Sequence, residues 1–201
     1  MLTLTQRFDD KVEIQGEIYV LDLSFDNVLR VLEVFNDVDF NPYERLEMAF
    51  SMLIPNEPDV PFQTKDQMVL FVLKEYAGID FEQSEQPKEK PYFDLYQDAG
   101  YIFASFLQDY GMNLYDYHGK LHWKQFQSLL SSLGEKTKFK EAIKYRATKV
   151  PGRTKYNADE IKYILAMKKA YALKGQEDPD LVVDRVDSAW EKVANFFKAG
   201  R

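Results

Sequence analysis

The chain contains no cysteine, which excludes disulfides, thiolate nucleophiles and cysteine-ligated zinc or iron–sulfur centres. No apolar run approaches the roughly 18–20 residues of a membrane-spanning helix, so no membrane partner is expected. The opening MLTLTQRFDD turns acidic at once and lacks the apolar stretch of a secretory signal, and a reducing cytoplasm fits the composition. The nine glycines are scattered singly, mostly near helix ends, so there is no phosphate-cradling loop. Histidine is scarcer still, with two, His118 and His122.

Those two stand four apart in HGKLHWKQFQSLLSSL, the spacing of two metal ligands on one helical face. Gly119 lies between them, and NLYDYHGK reads as a turn, which puts His118 outside the helix that carries His122. A paired-histidine helix site also needs a glutamate beside the first histidine and a third ligand; position 119 is Gly. The packing reading is the stronger one. Leu121, Phe126, Leu129, Leu130 and Leu133 face inward, with Trp123 or His122 at the margin. Ser105, Ser128, Ser131 and Ser132 fall on helices without a nucleophile elbow, and two imidazoles leave little choice of base. The many carboxylates are accounted for as a solvated face. No metal, no cofactor and no enzymatic activity are expected.

What is present is apolar and aromatic. Of 201 residues, 45 % are hydrophobic and 15 % aromatic, enough for one sizeable core or two small ones and too much for a disordered chain. The net charge of −7 conceals a segregation. Residues 1–118 carry 8 Lys/Arg against 23 Asp/Glu, whereas residues 119–175 carry 14 against 4. Two complementary patches of this kind suit packing within the chain, association of copies head to tail, or an anionic partner on the basic segment.

The fold class expected is mostly α, with an N-terminal β-hairpin followed by about seven helices. KVEIQGEIYVLDLSF alternates apolar and polar residues on both sides of Gly16, with Val12 and Ile14 before the turn and Ile18 and Val20 after it. Ser24 or Asp26 can cap a helix in which Val28, Leu29, Leu32 and Phe35 recur. Asn41 and Pro42 open the next, and Thr64 caps a short one that closes at Gly78. A helix from Tyr92 ends at Gly111, followed by the histidine-bearing helix, by TKFKEAIKYRATKV, and by one running from an Asn157 cap to Gly175. The charged, proline-containing stretch DFEQSEQPKEKP marks an internal division near 82–91 within a 1–175 domain. Residues 176–201 form a C-terminal helical arm, with Val186, Trp190, Val193 and Phe197 on one face.

The segment from Lys136 to Lys155 contains Lys136, Lys138, Lys140, Lys144, Arg146, Lys149, Arg153 and Lys155, with Phe139, Tyr145 and Tyr156 interleaved. Cations among aromatics can bind phosphates and stack bases. The acidic remainder repels a long polyanion, so a protein partner, or another copy, is electrostatically easier.

Four motifs in order, YIFASFLQDYGMNL, KLHWKQFQSLLSSL, FKEAIKYRATKVP and LAMKKAYAL, together with the opening VEIQGEIYVLDLSFDNVLRVLEVFND, resemble the bacteriophage gene product fifteen family over most of the chain. One departure is Lys124, at a position where members of the family often carry a second aromatic after the tryptophan. The resemblance implies a non-enzymatic factor of long-tailed phages of Gram-positive bacteria, encoded between the major tail protein and the tape measure. It further implies a tail-assembly chaperone in the host cytoplasm, absent from the mature virion. Such a chaperone would bind the tape-measure protein, help recruit tail-tube subunits and self-associate as a homo-oligomer. The groove for that partner is expected from Tyr101, Phe103, Phe106, Trp123 and Phe126, with Lys144, Arg146, Lys149 and Arg153 beside it. Core packing is the plainer account of each aromatic taken singly. The alternative is a nucleic-acid-binding phage protein using residues 136–155.

Overall fold

The computed structural model describes residues 5, 8, 10–14, 16–56, 58–79 and 92–175. The division near 82–91 and the 176–201 arm lie outside the described residues. Contacts sort the chain into two units, residues 1–88 with 112–132 and residues 89–111 with 133–201. The charge segregation follows this division. The first unit carries 9 Lys/Arg against 19 Asp/Glu, and the described part of the second carries 12 against 7.

The first unit opens with an antiparallel hairpin, β1 (Lys11–Ile14) and β2 (Glu17–Val20), turning at Gly16 with φ 85°. Ile14 pairs with Glu17, so Val12 stands opposite Tyr19 and Glu13 opposite Ile18. Because side chains alternate faces, this register separates the apolar residues of the two strands. Val12 is buried, whereas Ile18 and Val20 are 68 % and 52 % exposed. Helix α1 (Phe25–Asn36) buries Phe25, Val28, Val31 and Val34, a face rotated slightly from the expected one. Leu29, Leu32 and Phe35 lie half-buried at its margin. Ser24 occupies the N-cap position, but its hydroxyl donates to Asp22 at 2.6 Å instead of capping. Helix α2 (Pro42–Leu53) has the expected start: the Asn41 side chain accepts from Tyr43 and Glu44 N–H, and Glu44 accepts from Asn41 N–H. Buried Asn27 donates to the carbonyls of Asp22 and Met52, tying the start of α1 to the end of α2.

Helix α3 (Phe62–Phe71) begins after Pro61, ahead of the expected Thr64 cap, and runs into a π-helical turn, Val72–Ala77. That turn ends at Gly78, whose φ of 70° favours glycine. After a 3-10 turn, Leu114–Tyr117, the chain bridges back to α1, with Phe25 N–H donating to Leu121 and Trp123 N–H to Leu23. Helix α5 (Trp123–Ser131) then buries Trp123, Phe126 and Leu130.

The second unit packs α4 (Ala99–Tyr110), α6 (Lys138–Ala147) and α7 (Ala158–Tyr171). The helix expected from Tyr92 starts seven residues later, at Ala99. Asp94 Oδ1 accepts the N–H groups of Tyr96 and Gln97, and Asp98 accepts that of Asp94, so a carboxylate turn competes with the first helical turns. Thr137 caps α6 through the Lys140 N–H. Buried Ser105 joins α4 to α6 by donating to Tyr101 and accepting from Phe139 N–H.

Candidate functional site

His122 is the N-cap of α5, so His118, the residue closing the 3-10 turn, lies outside the helix as the Gly119 argument anticipates. Both imidazole nitrogens of His122 are engaged. Nδ1 accepts the Lys124 N–H at 3.0 Å, and Nε2 faces Asp10 Oδ1 at 3.0 Å. The ring of Phe8 lies parallel to the imidazole, with centroids 3.9 Å apart. A cavity of about 360 Å³ beside them is lined by Phe8, Asp10, Phe71, Glu75, Tyr76 and His122. A histidine–carboxylate pair is half of a proton relay, but here no ring nitrogen is left to serve as base. Its role is to fasten the segment before β1 to the start of α5. Among the described residues no group of three or more His, Asp or Glu could hold a metal ion.

Burial lowers the His122 pKa from its ordinary 6.5, outweighing the Asp10 carboxylate, which favours the charged form through space and by hydrogen bond; Lys124 lowers it further. The cap needs the neutral ring, because a protonated Nδ1 would turn a second proton toward the Lys124 N–H. The unfolded chain binds the imidazole proton at a higher pH than the folded chain does. Stability is therefore complete above about 6.5 and falls as the pH drops from there toward the lower folded pKa. His122→Asn keeps an N-cap acceptor without that titration. Between pH 7 and pH 5, the urea midpoint of the parent should fall more than that of the variant. Equal losses would contradict this role.

In the second unit the Arg146 guanidinium meets the Asp98 carboxylate in a two-pronged pair, at 2.7 and 2.8 Å. The two side chains are 9 % and 1 % exposed. Arg146 also donates to the carbonyls of Tyr92 and Tyr171, so one side chain ties α6 to the ends of two other segments. Buried Lys168 on α7 donates to the carbonyls of Arg146 and Thr148, closing the last turn of α6. A cavity of about 440 Å³ lies against this node, with Gln97, Tyr101 and residues 170–174 on its walls.

Residues 4–173 match the family described as Bacteriophage Gp15 protein. The chain belongs to that family. Comparison with curated proteins and with solved structures finds no match. The family match takes in both strands and all seven described α-helices, so it extends over the described parts of both units. Among the described residues of this Gp15 protein, no helix is long and apolar enough to cross a membrane.

The nine residues expected to form a partner site divide sharply. Phe106, Trp123 and Phe126 are buried. Trp123 stacks on Phe126, which stacks on Phe25 at 4.9 Å, and the Trp123 indole N–H donates to the Ala77 carbonyl at 2.9 Å. One of Trp123 and His122 was expected at the margin of α5; both lie inside, because the bridge to α1 draws the start of the helix into the core. Tyr101 and Phe103 are half-buried. Lys144, Lys149 and Arg153 are exposed, whereas Arg146 is turned onto Asp98. Asp10, Asp98 and Lys168 were not singled out by sequence reasoning. No local spacing signals these roles, since the His122, Arg146 and α6-carbonyl partners lie at least twenty residues away.

Proposed function

We propose that this phage protein is a tail-assembly chaperone. It binds the tape-measure protein, self-associates along it, helps recruit tail-tube subunits in the host cytoplasm, and leaves before the tail matures, with no catalytic step. Membership of the Gp15 family supports the phage setting. The observation that carries the binding reading is an aromatic surface on the first unit. Tyr43 and Phe62 stack at 4.6 Å yet remain exposed at the starts of α2 and α3. A tape measure presents long apolar helical stripes, and an exposed aromatic surface suits the apolar face of such a helix. This surface replaces the groove expected around Trp123 and Phe126, whose rings are occupied by the core.

The test is titration of the protein against an immobilised tape-measure fragment at low and physiological salt. Saturable retention at both, lost in the Tyr43→Ser, Phe62→Ser double variant, is the expected result. No retention at either salt counts against the reading. A nucleic-acid mobility shift that weakens steeply with salt would instead favour the 136–155 segment as a phosphate-binding surface. Within that segment Arg146 is paired with Asp98 and Lys138 with Glu141.

A further inference from the structure

The two most exposed large apolar side chains among the described residues are Tyr156, at 91 %, and Val38, at 88 %. Each stands within a run of single-sign charge. Val38 lies in the connection between α1 and α2, flanked by Asp37 and Asp39, with Glu33 on α1 and Glu44 on α2 extending the run and no Lys or Arg from 31 to 44. Tyr156 lies in the connection between α6 and α7, where Lys149, Arg153 and Lys155 occur, with Lys144 on α6 extending the run and no Asp or Glu from 142 to 158. Both tips are held by their own hydrogen bonds. Asp37 accepts the Asp39 N–H at 2.9 Å, while Asn157 accepts the Thr154 N–H at 2.7 Å and donates to the Gly152 carbonyl at 2.9 Å. Arg45, the first cation after the acidic run, is half-buried and donates to the Phe35 carbonyl. The Lys155 ammonium sits 6.0 Å over the Tyr156 ring, so the basic tip presents charge and aromatic surface together.

An apolar tip in water is unfavourable, and a rim of like charge repels itself; contact between opposite rims relieves both. We propose that these loops are the two halves of a head-to-tail contact between copies, the acidic 33–44 turn of one receiving the basic 144–156 loop of the next. The occupant is a second copy because the charge that complements each loop is carried by the same chain. The two surfaces differ, so the contact is heterologous and leaves one free half at each end, and copies add in series. The ordered shape of both tips lowers the entropy lost on docking. This contact rests on the self-association in the chaperone reading and assigns it a mechanism.

The test is sedimentation of the full chain against protein concentration and salt. Wild type should associate at low salt and dissociate as salt shortens the screening length. Glu33→Lys with Asp39→Lys, and separately Lys149→Glu with Lys155→Glu, should each weaken self-association at least about tenfold, since each brings its rim of four like charges to a net of zero and removes the attraction. All four positions are exposed, so circular dichroism should be unchanged. An equimolar mixture of the two variants should form a 1:1 complex and grow no further, because only one intact contact remains. A monomeric wild type at every concentration would overturn the proposal, as would variants that associate like wild type or a mixture that stays monomeric. Retention of the tape-measure fragment by a charge-reversed monomer would leave the chaperone reading standing on its own.

Discussion

Asp98→Ala should cost the second unit about 3–5 kcal/mol, the range for a buried ion pair that loses one partner. The reason is specific to this node. Arg146 would keep its charge in a nearly buried position with only the Tyr92 and Tyr171 carbonyls to stabilise it. Asp98 also accepts the Asp94 N–H, so the turn that precedes α4 loses a hydrogen bond as well. Replacing both partners together, Asp98→Leu with Arg146→Met, should recover most of the loss, because no uncompensated charge remains. Urea unfolding at neutral pH, followed by circular dichroism, measures both. A single-variant loss below about 1 kcal/mol would mean that the pair is solvated, as surface pairs are.

Trp123→Ala should destabilise the first unit by about 3–5 kcal/mol, as expected for truncating a large buried aromatic. The indole is 3 % exposed and stacks on Phe126, so its removal opens a cavity beside the ring that Phe25 also contacts. It also strips the Ala77 carbonyl of its indole donor at the end of the π-helical turn. Trp123→Phe fills much of the space but not the hydrogen bond, and should lose a smaller amount, on the order of 1–3 kcal/mol. Denaturant midpoints rank the three proteins. Were alanine and phenylalanine equally tolerated, Trp123 would be a surface residue available to a partner, as the groove reading of this helix assumed.

Much of the fold was legible because it rests on local rules. Asn41, Pro42 and Glu44 form a start signal readable within four residues, and glycines at 16, 78 and 111 mark the turns and ends that they were expected to mark. The alternation in the hairpin was legible too, but its register was not, and register decided that Ile18 and Val20 face outward. The start of α4 was misplaced because Asp94 captures the N–H groups of Tyr96 and Gln97, a side-chain competition that hydrophobic spacing does not reveal.

The candidate sites were less legible, for a related reason. Imidazole is an uncommon helix cap, and the partners of His122 lie more than a hundred residues away at Phe8 and Asp10. Arg146 looked like one more member of a basic run until the fold brought Asp98 to it across 48 residues. Aromatic richness alone could not separate Trp123 and Phe126, which build a core, from Tyr43 and Phe62, which remain in water. The discontinuous units follow from the same limit, since the chain returns at residue 112 to a core begun near residue 12.

The proposed function has this phage protein shield the apolar helices of a tape-measure protein. Co-expression with a long tape-measure fragment that sediments when made alone tests it most directly. The account predicts that the fragment moves to the soluble fraction and elutes with the protein as one complex, and that the Tyr43→Ser, Phe62→Ser variant fails to bring it there. A fragment distributed between pellet and supernatant identically with and without the protein would contradict it.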